Sequence, residues 1–400
     1  MTEEKIGIKK WVLAFQHLLA MFGATVLVPA ITGLNPAVAL LSAGVGTLIF
    51  HLLTKGMVPV FLGSSFAFIP VILAVKDRFG DLAYAQGGIM IAGLLYVILA
   101  SLVKIYGIDK IKSFFPPIVT GPMIVVIGLN LSPVAIGMAS SNWLIAGVVL
   151  ITLVSISVYT KGFIKLLPIL ISILVGYVLS MALGVINTTE LIAELREASM
   201  FRVPGMTLPK FDWTAILLIA PIVLVVFMEH IGDITTNGSV VEKDFFSEPG
   251  LHRTLLGDGV ATLFAGLIGG PANTTYGENT GVLAVTKVYD PSILRAAAII
   301  TIFLSFMGHF EVILGSLPDP VKGGISIVLF GMIASVGMRT MIEAKLDFSD
   351  SKNLLIAALI LVIGIGTEAA GGIAITEGIQ LEGLSLAAIV GIVSNKLLNR

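Results

Sequence analysis

The 400-residue chain has no cysteine, five histidines and three tryptophans, and charged side chains make up only 12% of it. Without cysteine there is no disulfide, no thiolate nucleophile and no Cys-ligated zinc or iron–sulfur centre. So little charge, against roughly 25% in an ordinary soluble domain, argues against a water-soluble enzyme. The formal net charge of -1 leaves no excess of clustered Lys and Arg for a phosphate backbone, so nucleic acid is not an expected partner. No Gly-rich loop ending in Lys-Ser/Thr cradles nucleotide phosphates, which removes direct ATP drive. No set of His, Asp and Glu has metal-ligand spacing, so neither a metal nor another cofactor is expected.

What the chain has instead is 56% hydrophobic residues and 43 glycines, a composition suited to closely packed and broken helices in lipid. A crossing takes about 20 apolar residues for ~30 Å of hydrocarbon, and with short connections the chain accommodates roughly fourteen. The runs begin near Trp11, Pro36, Met57, Ala83, Phe114, Asn142, Phe163, Trp213, Leu251, Asn273, Ser292, Val321, Asn353 and Glu382. The expected fold class is therefore an all-α polytopic membrane protein with fourteen transmembrane segments. The first run follows a charged leader, residues 1–10, without a small-residue cleavage site, and reads as a retained span rather than a signal peptide.

Counting basic residues on alternate connections orients these spans. Only Lys76, Arg78, Arg196, Arg202, Lys210 and Lys322 of the 24 Lys and Arg fall on odd-numbered connections. The rest, including Lys55, Lys110, Lys161, Lys243, Arg295 and Lys345, lie on the termini and even-numbered ones. The positive-inside rule then places both termini in the cytoplasm and makes this a multi-pass protein of the cytoplasmic membrane.

The longest extracytoplasmic connection, residues 187–212, separates seven spans from seven. An odd number per half orients the halves oppositely, as in inverted-repeat transporters. The third run of each half is interrupted alike, by Gly63-Ser64-Ser65-Phe66 and by Asn273-Thr274-Thr275-Tyr276-Gly277-Glu278. From Glu278 to Lys287 a helix extends only ~15 Å, so half the membrane is crossed by something else. Asn273 to Tyr276 is polar and strand-prone, and non-helical backbone at that depth survives only against protein or a wet cavity. Helices starting near Phe66 and Glu278 would aim positive dipole ends at one place. The plainer reading is a kinked helix with satisfied polar groups.

Glu229, His230 and Asp233 end a run, Ile216 to Met228, that otherwise carries no charge. Intramembrane carboxylates are costly and default to function. Glu229 and Asp233, four apart, share a helix face on which a transported proton can be held, while His230 points about 100° away. Asp233 could instead reach the cytoplasmic headgroups, and His230 and His17 could be packing histidines. Phe66 can stack on a planar base, although one phenylalanine among 21 says little alone.

Glu278-Asn279-Thr280-Gly281 followed by Thr286-Lys287 resembles the signature of the nucleobase/ascorbate transporter family. Gln16-His17, Phe22-Gly23-Ala24-Thr25, Leu62 to Phe68, Phe115-Pro116-Pro117, Glu229-His230-Ile231-Gly232 and Asn273 to Asn279 resemble the bacterial uracil permeases within it. The resemblance implies two inverted seven-span repeats, with short β-strands interrupting spans 3 and 10. It implies a core domain, residues 11–110 (spans 1–4) and 213–317 (spans 8–11), moving against a gate domain, residues 111–186 (spans 5–7) and 318–400 (spans 12–14), through which such proteins tend to form homodimers.

It further implies a base between the two strands, bound by Glu229 and Glu278, packed by Phe66 and lined by Ala24, Ser65, Tyr276 and Gly277. Asn279, Gly281, Thr286 and Lys287 complete the signature, and Glu229, Asp233 and His17 are the candidates for proton coupling. Asp233 stands where the uracil permeases carry a second histidine. Relatives with Gln at the Glu278 position tend to take purines, so Glu278 favours a pyrimidine. The expected function is proton-coupled uracil import, with uracil, a proton and membrane lipid as partners. A xanthine or urate permease is the alternative. An anion transporter with facing helix dipoles should carry a midplane Arg or Lys, and two acids stand there instead. A membrane-embedded enzyme should show catalytically spaced partners around Glu229 to Asp233, and none is present, so the chain is read as a non-enzyme.

Overall fold

The computed structural model describes residues 3–112, 116–376, 379–381 and 383–398. Phe114 and Phe115 of the fifth run and Glu382 at the head of the last lie outside the described residues. The first run is α1 (Glu3–Thr32), followed by α2 (Pro36–Leu53), which Asn35 caps by accepting from the Ala37 and Val38 amides, with Pro36 at the first helical position. Strand β1 (Leu62–Ser64) and a single 3-10 turn, Phe66–Phe68, lead into α3 (Ile69–Phe79), and α4 (Ala83–Tyr106) and the short α5 (Ile108–Lys112) follow.

The next run divides into α6 (Pro117–Asn130) and α7 (Ser132–Ser140), whose first turn holds Pro133. Then come α8 (Trp143–Tyr159) and α9 (Pro168–Ala182), and α10 (Thr188–Glu197) sits in the central connection. Helices α11 (Trp213–Ile219) and α12 (Ile222–Val241) are parted at Pro221. They precede α13 (Leu251–Ile268), β2 (Asn273–Thr275), α14 (Gly277–Thr286), α15 (Pro291–Ser305) and α16 (Gly308–Gly315). The chain continues through α17 (Asp319–Glu343), α18 (Ser351–Ala369), a hairpin of β3 (Ile373–Thr376) and β4 (Ile379–Leu381), and α19 (Gly383–Leu398).

Among the described residues, seven helical stretches are long and apolar enough to span a membrane, and α15 with α16, bent by 83°, makes an eighth. The molecule is thus a mostly helical, multi-pass membrane protein. Of the other hydrophobic runs, α13 has 18 residues, as α2 does, and the rest form shorter helices than a uniform set of crossings requires. Helices α8, α9 and α19, of 17, 15 and 16 residues, rise only about 22–26 Å. Helices α3 and α14, of 11 and 10 residues, rise about 15–17 Å because β1 and β2 precede them.

Two packing groups are evident. Helix α4 lies on α13 and α11, while α2 lies on α13 and α15, and α1 on α15; separately, α17 packs on α6, α7 and α8, and α18 on α6 and α19. The α4–α13 contact depends on Gly93 and Gly259, where an added methyl would overlap the opposing backbone and the Tyr96 Cβ respectively, as expected where small residues let membrane helices approach.

Candidate functional site

Strands β1 and β2 pair antiparallel, Leu62 opposite Thr275, Gly63 opposite Thr274 and Ser64 opposite Asn273. The ladder is extended by Ser65 N donating to Ala272 O (2.9 Å) and Tyr276 N to Phe61 O (3.0 Å). Such short strands leave polar groups over, and side chains of the surrounding helices meet them. The Leu62 amide donates to Thr47 Oγ1 (2.9 Å), Thr262 Oγ1 donates to Asn273 O (2.9 Å), Asn273 Nδ2 to Ser42 O (2.9 Å) and Ser64 Oγ to Thr25 O (3.0 Å). The Tyr276 ring lies where a methyl at Gly63 would stand, and its hydroxyl donates to Ser64 O at 2.8 Å. Glycine at 63 is therefore a steric requirement of this crossing.

Both strands run into helix N-termini. The residue before α14, Tyr276, gives no side-chain cap, nor does Ser65 before the 3-10 turn or Phe68 before α3. No N-cap side chain therefore occupies these positive dipole ends, the arrangement that receives electron-rich ligand atoms. Glu278 lies in the first turn of α14.

Helix α12 faces this place. Glu229 and Gly232 are exposed and Asp233 is half-buried, as are Glu278 and Phe66, whereas Phe227, His230 and Ile231 are buried. A methyl at Gly277 would sit 3.8 Å from Asp233 Oδ1, so the Asp233 carboxylate stands across from the start of α14. Glu229, Asp233 and Glu278 lie close enough to feel one another's charge. Among the described residues no Lys or Arg forms an ion pair with any of the three. The exposed face continues through Thr236 and Ser239 to a cavity of about 330 Å³ lined by Thr235, Ser239, Glu242 and Lys243. At the opposite end Ser385 Oγ donates to Leu217 O at 3.1 Å, joining α19 to α11.

Behind the exposed face is a buried polar cluster. His230 Nδ1 meets Asp258 Oδ2 at 2.8 Å and Nε2 meets Thr254 Oγ1 at 2.9 Å. Thr275 Oγ1 of β2 donates to the same carboxylate at 3.3 Å. Asp258 was not a candidate from sequence, although it is the one acid in the run Leu251 to Ile268; that isolation was the available signal. His230 is thus an anchor between α12, α13 and β2, turned away from the Glu229–Asp233 face.

The remaining expected residues divide. His17 is buried, its Nδ1 3.1 Å from Asn279 Nδ2, which also donates to His17 O at 3.1 Å. This ties α1 to α14 and brings His17 and Asn279 to the edge of the site. Ala24 and Ser65 are fully buried, and Ser65 Oγ has no partner among the described residues. Gly281 meets Leu166 of the 3-10 turn Ile164–Leu166, where a methyl would stand 2.9 Å from Cδ2. Thr286 and Lys287 are not brought to the site. The Thr286 hydroxyl donates to Val282 O of its own helix, and Lys287 is the exposed, left-handed cap of α14 (φ 53°), about 14 Å along the helix from Glu278.

A broken-helix site inside a multi-pass bundle is the architecture of a transporter, and the chain belongs to the permease family, whose sequence profile matches residues 8–371. It is 42% identical over 412 residues to the uracil permease of Bacillus caldolyticus, covering 99% of this chain and 94% of that one. It is also 42% identical over 393 residues to the uracil permease of Escherichia coli (strain K12), covering 95% and 89%. Its fold is that of the murine anion transporter Slc26a9 in the inward-facing state, with a TM-score of 0.71 at 9% identity over 98% of this chain and 68% of that one. The transmembrane domain of a cyanobacterial bicarbonate transporter, BicA, matches with a TM-score of 0.59 at 15% identity over 98% of each chain.

Proposed function

We propose that the protein is a proton-coupled symporter that imports uracil across the cytoplasmic membrane. The observation that carries this reading is the meeting of three acids, Glu229, Asp233 and Glu278, with no basic ion partner among the described residues, at the uncapped starts of two broken helices. It is supported by the uracil permeases similar to this chain along nearly its whole length. Uracil is planar and neutral, with ring N–H donors alternating with carbonyl acceptors. Carboxylates of Glu229 and Glu278 accept the ring N–H groups, the first-turn amides of α14 donate to a carbonyl, and Phe66 packs on the ring. Ala24, Ser65, Tyr276 and Gly277 complete the lining. A midplane anion site would need a cation that this face lacks, which disfavours anion transport despite the shared fold.

Protons enter because three like charges on one face cannot all persist as the site is closed off from water. Asp233, opposite Gly277, holds the coupling proton in this reading, with Glu229 beside it and His17 behind Asn279. Spans 1–4 and 8–11 form a core and spans 5–7 and 12–14 a gate, fourteen in two inverted repeats with both termini cytoplasmic. The separate packing of α2, α4, α13 and α15 and of α6, α8, α17 and α18 supports that division. The core rocks against the gate around the strands, giving alternating access, and the gate domains pair in a homodimer. The stripe from Glu229 to Ser239 is the inner half of the route. The test is uptake of labelled uracil into proteoliposomes with and without an imposed proton gradient, for the wild type and Glu278→Gln. A purine permease would instead prefer xanthine in a binding screen.

A further inference from the structure

Helices α2 and α15 pack antiparallel, with Gly44 against Ile302 and Gly56 against Arg295. Where α2 ends, they leave a cavity of about 350 Å³ lined by Leu48, His51, Leu52, Lys55, Gly56 and Arg295. Its two charged lining residues are both cations. Lys55 is exposed on a left-handed residue (φ 57°), and Arg295 is half-buried with a guanidinium nitrogen where a methyl at Gly56 would come within 2.9 Å. At the same end of α2, Arg253 donates to Leu53 O at 3.0 Å. Asp290, the residue before α15, caps that helix by accepting from Ser292 N (2.8 Å) and Ser292 Oγ (2.6 Å), and lies close enough to Arg295 to feel its charge. His51 is buried, with Nε2 2.9 Å from Val60 O and Nδ1 without a partner among the described residues.

Two features select what fills this cavity. Paired Lys and Arg at helix ends match a phosphate in charge and geometry. The apolar surface leading away from them matches an acyl chain. Arg295, Ile299 and Phe303 succeed one another at four-residue spacing on one face of α15, the latter two each 53% exposed, and Leu52 beside Lys55 is 79% exposed. The face from Arg295 to Phe303 is about 12 Å long, so a head group at Arg295 continues into a chain along Ile299 and Phe303. A free phosphate would use the cations and leave that surface unfilled.

We propose that Lys55 and Arg295 form a site for the phosphate of an anionic phospholipid, seated between α2 and α15 in the inner leaflet. The leaflet rests on the orientation proposed above; the site does not. A lipid there bridges the helix that carries Thr47, which holds β1, to the one that follows α14, so its occupancy acts on the rigidity of the substrate-binding half.

The test is native mass spectrometry of the detergent-purified full chain with phosphatidylglycerol or phosphatidylcholine, alongside thermal unfolding with each lipid. Wild-type protein is expected to retain one phosphatidylglycerol preferentially and to melt higher with it. Lys55→Gln/Arg295→Gln should lower that retention at least tenfold, while the distant pair Lys345→Gln/Lys352→Gln keeps it. Lys55→Gln alone, on an exposed side chain, supplies a partial loss should the double variant fold poorly. Equal retention of both lipids by wild type, unchanged retention in the Lys55 and Arg295 variants, or displacement by millimolar inorganic phosphate overturns the proposal. Uracil uptake in phosphatidylcholine liposomes separates the two readings, since transport without the anionic lipid can persist, slowed, while the lipid site stands or falls on retention.

Discussion

His230 on α12 and Asp258 on α13 are joined at 2.8 Å, with side chains 0% and 1% exposed. Removing one partner of a buried hydrogen bond leaves the other unsatisfied, at a cost of about 1–3 kcal/mol. Asp258→Ala also strips Thr275 of β2 of an acceptor, so it should lower the unfolding temperature markedly and abolish uptake. Asp258→Asn, which keeps an acceptor oxygen, should lose less stability. Thermal unfolding in detergent with parallel uptake checks this, and an Asp258→Ala protein that melts and transports like wild type contradicts it.

The crossing of β1 by Tyr276 makes a second prediction. Gly63→Ala drives a methyl into the ring and should cost about 1–3 kcal/mol of overpacking, displacing Tyr276 and weakening substrate binding. Gly147→Ala in α8, where nothing lies within 4 Å, should be neutral or stabilising by up to about 1 kcal/mol, because alanine suits a helix better than glycine. Equal effects of the two substitutions on unfolding would contradict the crossing geometry.

Tyr276→Phe removes the hydroxyl that donates to Ser64 O at 2.8 Å while leaving the ring against Gly63. The net loss should be about 1 kcal/mol, read as a modest fall in unfolding temperature with uptake retained at reduced apparent affinity. Unaltered stability would show that Ser64 O finds another donor.

Lys210 of the central connection donates to Asp81 Oδ2 at 2.8 Å. That bond holds the Asp81 carboxyl below its ordinary value of 3.8 and the Lys210 ammonium above its ordinary value of 10.5. The Asp81 contribution is fully present above 3.8 and lost as pH falls through the lowered value; the Lys210 contribution is present below 10.5 and lost as pH rises through the raised one. The stability difference between wild type and Lys210→Gln should therefore be flat from about pH 5 to about pH 9 and shrink toward either extreme. It should also be small, since both side chains are solvated. A difference that grows in acid contradicts the pairing.

Much of this site was legible because it violates the sequence around it. Glu229, Asp233 and Glu278 stood out as charges where the chain is otherwise apolar, and Asn273 to Tyr276 as a polar, strand-prone stretch before a helix too short to cross alone. The helices starting at Ala83, Trp213 and Leu251 begin where their hydrophobic runs do. Less could be read where the determining contact is distant. The pairing of Gly63 with Thr274 joins residues some two hundred positions apart, and no local pattern encodes it. Asp258 was hidden because its run opens with His252 and Arg253 and resembles a charged helix end. The β3–β4 hairpin follows Gly371 and Gly372, whose positive φ values turn the chain where hydropathy alone shows only a gap.

The most direct measurement is accumulation of radiolabelled uracil by the purified protein in sealed liposomes, with the interior buffered alkaline to the exterior. Wild type should concentrate uracil above its external level and lose that accumulation when a protonophore collapses the gradient, and Glu278→Gln, correctly inserted, should not accumulate it at all. Accumulation that survives the protonophore, or proceeds normally in Glu278→Gln, would contradict proton-driven uracil transport through this acid cluster.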